Sequence, residues 1–282
     1  MDISVCVCGA GTMGSGIAQI CAQGELNVTL FDLEPSALER AKQHILKNLE
    51  YLVKKNKFTT DEAQNILKRI HFTSDLKDCT AFIIIEAIVE KAEAKIELFK
   101  SLARYNNEEV IFASNTSSIS ISLLQEQIVA PQRVLGMHFF NPPTIMPLVE
   151  VIRGKQTTQP FIDAAMMICK KIGKQAVLCK DAPGFIVNRV ARQYYLESLF
   201  LAGQGVADFE SIDRILEATG FKMGPFKLMD MIGMDINLAT TESLYEAFGK
   251  PERLKPSLLQ VEKVRSGALG KKTGRGFYNY EP

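Results

Sequence analysis

The feature that most constrains the fold is a glycine turn set between an apolar run and an amphipathic one. Ile3 to Cys8 is of strand length and apolar except at Ser4. Gly9-Ala10-Gly11-Thr12-Met13-Gly14 interrupts it, and Ile17, Ile20 and Cys21 then recur at helical spacing up to Gly24. A second strand-like run, Asn27 to Phe31, ends at Asp32, 23 residues beyond Gly9; a dinucleotide-binding βαβ unit places its acid about 20 residues on. In such a unit Gly9 permits the tight turn, Gly11 lets a pyrophosphate approach the backbone, and Gly14 lets helix and strand pack closely. Thr12 and Met13 complete the turn, and the helix N-terminus offers N–H groups and a favourable dipole to phosphates. Asp32 would accept hydrogen bonds from the adenine ribose and repel a 2′-phosphate. The expected cofactor is therefore NAD, with NADP left open because a Lys or Arg from elsewhere can neutralise the acid. The competing reading is a glycine turn that only packs.

Downstream, strand and helix patterns alternate. Pro35 stands where a helix can start, and an amphipathic stretch follows to about Lys54. A helix is expected around Asp61 to Arg69, and strands over Phe82–Glu86, 110–113 and 134–140. The segment 91–104 sets Ala92, Ile96, Phe99 and Ala103 on one helical face. Leu148 to Ile152 reads as a strand after a segment with three prolines; a helix near 160–172 and a strand near 175–179 follow. This order predicts a mostly parallel sheet covered on both faces. After Asp181-Ala182-Pro183-Gly184 the pattern turns helical, with Ile186, Val190 and Tyr194 on one face. The expected architecture is an α/β Rossmann-like N-terminal domain over 1–181 and an all-α C-terminal domain over 182–282.

Composition excludes several function classes. Lys plus Arg number 33 against 32 Asp plus Glu, a formal charge of +1, without the cationic excess that a nucleic-acid backbone demands. No apolar run approaches the roughly 20 residues of a membrane span. The chain enters its first strand without a charged-then-apolar leader, so a cytoplasmic location is expected. None of the six cysteines forms a C-x-x-C pair or lies two to four residues from a histidine. The expectation is no metal and no disulfide, with the thiols serving as small hydrophobes in a reducing compartment.

Two polar residues interrupt apolar strands. His138 lies near the carboxyl end of Val134–Phe140, where open α/β sheets bind ligands, whereas His44 and His71 fall in ordinary polar settings. Glu150 sits within Leu148-Val149-Glu150-Val151-Ile152, and a carboxylate there is costly unless paired. A hairpin pivoting on Thr144 sets His138 opposite Glu150, as a direct cross-strand pair. A one-residue slip would destroy it. Such a dyad suits general-base work, because the carboxylate orients the imidazole and stabilises the imidazolium. A pair that merely satisfies itself is the alternative.

At this point the residues resemble a known family, the short-chain L-3-hydroxyacyl-CoA dehydrogenases, with the greatest likeness to bacterial members acting on four-carbon acyl groups. The likeness rests on Glu86-Ala87-Ile88-Val89-Glu90, Ala113-Ser114-Asn115-Thr116-Ser117-Ser118, His138-Phe139-Phe140-Asn141-Pro142-Pro143 and Leu148-Val149-Glu150-Val151-Ile152. It continues through Pro183-Gly184-Phe185-Ile186-Val187-Asn188-Arg189, Gly224-Pro225-Phe226 and Lys272-Thr273-Gly274-Arg275-Gly276-Phe277-Tyr278, and so spans essentially the whole chain.

The resemblance implies an NAD domain followed by a helical domain that forms a homodimer. It makes His138 the general base and Glu150 its orienting carboxylate. Ser117 and Asn188 would contact the substrate's reacting oxygen or the thioester region. Gly9, Gly11, Gly14, Asp32, Glu90, Lys95, Asn115 and Asn141 fall at cofactor positions, with Ser117 beside them and Lys272 a further contact from the tail. Lys55 would meet the CoA moiety, with Asn48 two turns earlier; the plain alternative for that lysine run is a solvated helix end. The implied reaction is reversible NAD-linked oxidation of a short (S)-3-hydroxyacyl-CoA, a step shared by butanoate and fatty-acid metabolism. Two other classes stay open: a non-catalytic NAD-binding protein, and a β-hydroxyacid dehydrogenase that uses a catalytic lysine.

Overall fold

In the computed structural model, which describes residues 3–280, the alternating runs become β1 (Ser4–Cys8), α1 (Thr12–Gln23), β2 (Asn27–Phe31), α2 (Pro35–Lys54), α3 (Thr60–Lys68), β3 (Ile70–Thr73), β4 (Ile83–Glu86) and α4 (Ala92–Leu102). They continue as β5 (Ile111–Ser114), α5 (Ile121–Gln125), β6 (Val134–Phe139), β7 (Leu148–Arg153), α6 (Gln159–Lys171) and β8 (Gln175–Lys180). Local chemistry sets several of these ends. Pro35 opens α2, and Thr59 with Glu62 forms a reciprocal capping box on α3. The five residues of α5 are too few to show a helical period, which is why the pattern of apolar residues does not announce that helix; Ser120 caps it.

The strands form one sheet in the order β3-β2-β1-β4-β5-β6-β7-β8, with every neighbouring pair parallel except β6–β7. This is a doubly wound Rossmann-like sheet whose order reverses between β1 and β4. That reversal opens a crevice at the carboxyl ends of those strands. Among the described residues no helix is long and apolar enough to cross a membrane.

Strand alternation divides the sheet into two unlike faces. On one face Val5, Val7, Ile83, Ile85, Met137 and Val149 join α1, α2 and α6 in a continuous apolar core. On the other lie Cys6 and Cys8, Ile84 and Glu86, Phe112 and Ser114, His138 and Glu150. There α4 lays Phe99 flat on Phe112, ring centroids 5.1 Å apart. The register runs Cys8, Glu86, Ser114, Gly136 straight across four strands, so the second face carries a polar row at its carboxyl edge.

The chain divides into two compact units, Met1–Ala182 and Pro183–Pro282. The second is helical: α7 (Val187–Gly203), α8 (Phe209–Ala218), α9 (Pro225–Ile232), α10 (Met234–Ala247) and α11 (Leu258–Arg265). Its core gathers Tyr195, Leu199, Phe226, Met229, Met234 and Leu244. Two fully buried aspartates hold it together. Asp213 accepts from the backbone N–H groups of Phe226 and Lys227 at the start of α9 and from the Tyr278 hydroxyl. Asp230 accepts from the N–H groups of Phe277 and Tyr278 and from the Tyr280 hydroxyl. The Gly224-Pro225-Phe226 and Gly276-Phe277-Tyr278 motifs are thus docked on buried carboxylates. Asp230→Ala leaves three half-buried donors, the Phe277 and Tyr278 N–H groups and the Tyr280 hydroxyl, without this acceptor and is expected to lower stability in urea by about 2–4 kcal/mol. Asp230→Asn, which keeps one oxygen, should fall between; an alanine variant as stable as the parent would contradict this role.

Candidate active site

The dinucleotide turn follows from three glycines with different reasons. Gly9 has φ +107°, and a Cβ there would lie 2.6 Å from the Ala87 carbonyl oxygen; a Cβ on Gly14 would lie 1.7 Å from the Gly9 carbonyl oxygen. Both are required by packing. At Gly11 a Cβ would meet nothing within 4 Å, so this glycine leaves open space above the turn instead of relieving a clash. No side chain caps α1 and no acid stands in its first turn, leaving the N–H groups near Thr12 and Met13 to an anionic ligand. Asp32 follows β2 and accepts from Ala10 N at 2.7 Å and from Glu34 N at 3.0 Å. Each carboxylate oxygen keeps acceptor capacity for a ribose hydroxyl. An uncapped helix N-terminus, a glycine that keeps the approach clear and an acid tied to the turn together fit an NAD molecule.

Across the crevice, β4 ends on Glu86, which is completely buried. It accepts from Lys95 Nζ at 2.6 Å, Ser114 Oγ at 2.7 Å and Ile88 N at 2.8 Å. Burial pushes its carboxyl up, against the pull of Lys95 and the hydrogen bonds. Lys95, on α4 and 1% exposed, also pairs with Glu90 Oε2 at 3.1 Å. The other oxygen of Glu90 gathers Thr116 Oγ1, Ser117 N, Ser118 N and Ser118 Oγ between 2.5 and 3.3 Å. Burial works against the charged form of Glu90, but Lys95 and these donors outweigh it and hold the carboxyl below its ordinary value. Asn115 ties the next strand in, accepting from Phe139 N at 2.9 Å through Oδ1 and donating its own N–H to the Glu86 carbonyl.

β6 and β7 pair with His138 opposite Glu150, the register of a hairpin pivoting on Thr144. The two side chains meet, His138 Nδ1 to Glu150 Oε2 at 2.8 Å, both buried, and the imidazole lies 4.5 Å from the Phe140 ring.

The first unit therefore gathers Gly9, Gly11, Gly14, Asp32, Glu90, Lys95, Asn115, Ser117 and His138 at the carboxyl ends of its strands, with Asn141 exposed in the loop beyond β6. Others stand apart. Asn48 donates to Gln19 Oε1 at 3.0 Å, and Lys55 ends α2 with its ammonium 5.7 Å from the Tyr51 ring. Asn188 lies in the first turn of α7, and Lys272 is paired with Asp235 at 2.6 Å, both in the second unit. A cleft of about 600 Å³ lined by Ser120, Arg153, Lys155, Lys180 and Asp181 contains none of the expected site residues. Reading the residues alone overlooks Glu86. Its signal is an acid closing an otherwise apolar strand, the same kind of misfit that singles out Glu150.

The chain matches the family model "3-hydroxyacyl-CoA dehydrogenase, NAD binding domain" over residues 4–182 and the corresponding C-terminal domain over 184–280. It is 42% identical over 276 residues to a Deinococcus radiodurans protein named probable 3-hydroxybutyryl-CoA dehydrogenase, covering 97% of this chain and 99% of that one. It is also 42% identical to 3-hydroxyadipyl-CoA dehydrogenase of Escherichia coli, covering 98% of this chain but only 59% of that longer protein. The crystal structure of (S)-3-hydroxybutyryl-CoA dehydrogenase from Ralstonia eutropha matches with a TM-score of 0.96 at 39% identity over 100% of both chains.

The Glu86–Lys95–Glu90 network also has a measurable energetic consequence. Lys95→Met strands a fully buried carboxylate, and a loss of about 3–5 kcal/mol is expected in chemical denaturation. Adding Glu86→Gln should restore at least half of it. A single variant within about 1 kcal/mol of the parent would show that the pair is not needed to hold the charge.

Proposed function

Because the chain belongs to the 3-hydroxyacyl-CoA dehydrogenase family of NAD-dependent oxidoreductases, we propose that it interconverts (S)-3-hydroxybutyryl-CoA and acetoacetyl-CoA, with His138 as general base. The observation that carries this reading is the buried His138–Glu150 hydrogen bond in the same sheet as the dinucleotide turn. Names of relatives that cover the full chain length point to the same four-carbon substrate.

With Nδ1 held by Glu150, Nε2 is the nitrogen assigned to the substrate hydroxyl. In oxidation it takes the hydroxyl proton, and Glu150 stabilises the imidazolium that forms. Bound NAD supplies the acceptor for the hydride leaving C3. In reduction the imidazolium returns the proton to the carbonyl oxygen. Ser117 and Asn188 are assigned as donors to that oxygen, where one well-aimed donor contributes roughly 10²–10³-fold. Glu90 positions the Ser117 segment through its hydrogen bonds to residues 116–118. Gly9, Gly11, Gly14, Thr12, Met13 and Asp32 would hold the adenine-side half of NAD; Glu90, Lys95, Asn115, Ser117, Asn141 and Lys272 complete the cofactor assignments. Lys55 and Asn48 are assigned to CoA. The second unit leaves Ile215, Phe221, Met231 and Ile236 exposed, in keeping with pairing of two chains through these helices.

His138→Ala is expected to lower turnover by about 10²–10⁴-fold with NADH affinity nearly unchanged, which steady-state kinetics and cofactor titration would check. Unchanged turnover would remove His138 from the reaction. A substrate series tests the assignment itself: acetoacetyl-CoA, longer 3-oxoacyl-CoA esters, a 3-oxoadipyl-CoA and a free β-keto acid, each with NADH and NADPH. The highest kcat/KM is expected for acetoacetyl-CoA with NADH. Activity confined to the free acid would favour the lysine-dependent class, and none with any substrate would favour a non-catalytic NAD-binding protein.

A further inference from the structure

Behind the dinucleotide turn lies a second cluster of chemically active side chains that the proposed reaction does not use. Cys6 and Cys8 alternate onto the same face of β1, with sulfurs 3.8 Å apart. The loop after the single turn Leu76–Asp78 brings in Cys79, and all three sulfurs lie within 4.8 Å of one another, buried. Packing alone explains a buried thiol as a small hydrophobe. It does not require three of them to converge from positions more than seventy residues apart.

From this geometry we propose that Cys6, Cys8 and Cys79 form a three-sulfur binding site for a soft monovalent cation of the Cu(I) class. A metal–sulfur bond of about 2.3 Å places the sulfurs of a trigonal site about 4 Å apart, and the cluster needs to contract only slightly to reach that spacing. Soft thiolates select Cu(I), zinc and iron–sulfur clusters. A structural zinc site requires four ligands, and among the described residues no fourth His, Cys, Asp or Glu joins the group. A three-coordinate cation is the better match. Each thiol gives up its proton to solvent as it ligates the cation.

The test is a titration of the reduced, full-length protein with Cu(I), handled without air, against a chromogenic Cu(I) chelator. The parent should retain one Cu(I) per chain. Cys79→Ser should weaken retention at least ten-fold, whereas Cys179→Ser, outside the cluster, should retain it as tightly as the parent. X-ray absorption at the copper edge, which needs only the parent protein, should find a first shell of three sulfurs at about 2.3 Å. Failure of the parent to retain copper, equal retention by a folded Cys79→Ser protein, or a nitrogen- and oxygen-containing first shell would each overturn the proposal.

Discussion

Buried negative charge organises this molecule. A carboxylate withdrawn from water must find a cation or several donors, or give up its charge, and the chain places four of them at structural junctions. Glu86 closes β4 and recruits Lys95; Glu150 meets His138 across the antiparallel β6–β7 pairing; Asp213 and Asp230 dock helix and tail in the second unit. In each case the partner comes from a different element, so satisfying the charge also sets the position of one segment against another.

The consequence is sharpest at the carboxyl edge of the sheet. Lys95 is shared between Glu86 and Glu90, and Glu90 in turn gathers the 116–118 segment. A single buried ammonium therefore links β4 and α4 to the loop that carries Ser117. The face that holds these groups is distinct from the apolar face packed by α1, α2 and α6. That division lets one sheet provide a rigid core and a polar edge at once, because alternate residues of every strand point opposite ways. The thiols of Cys6 and Cys8 share the polar face, and Cys8 stands immediately before Gly9.

Much of the site could be read from misfits in local pattern. Glu150 interrupts a run of Leu, Val and Ile, and the separation of the two strands about Thr144 is enough to place it opposite His138. The glycine spacing before Asp32 specifies a turn that only a close backbone approach explains. Glu86 was less visible because it comes at the end of its strand, where a polar residue normally signals a loop. The convergence of Cys79 on Cys6 and Cys8 leaves no trace in spacing, since nothing near Cys79 in sequence resembles a ligand motif.

The sequence by itself determined the alternation of strand and helix, the dinucleotide turn, and the His138–Glu150 register, because these depend on periods and offsets between near neighbours. Only the tertiary structure decided that Lys95 bridges two glutamates, that the tail motif folds onto Asp230, and that three distant thiols meet. Those contacts depend on the order in which strands lie side by side and on which helix covers which face. Both follow from the packing of the whole sheet, and no short window of residues contains them.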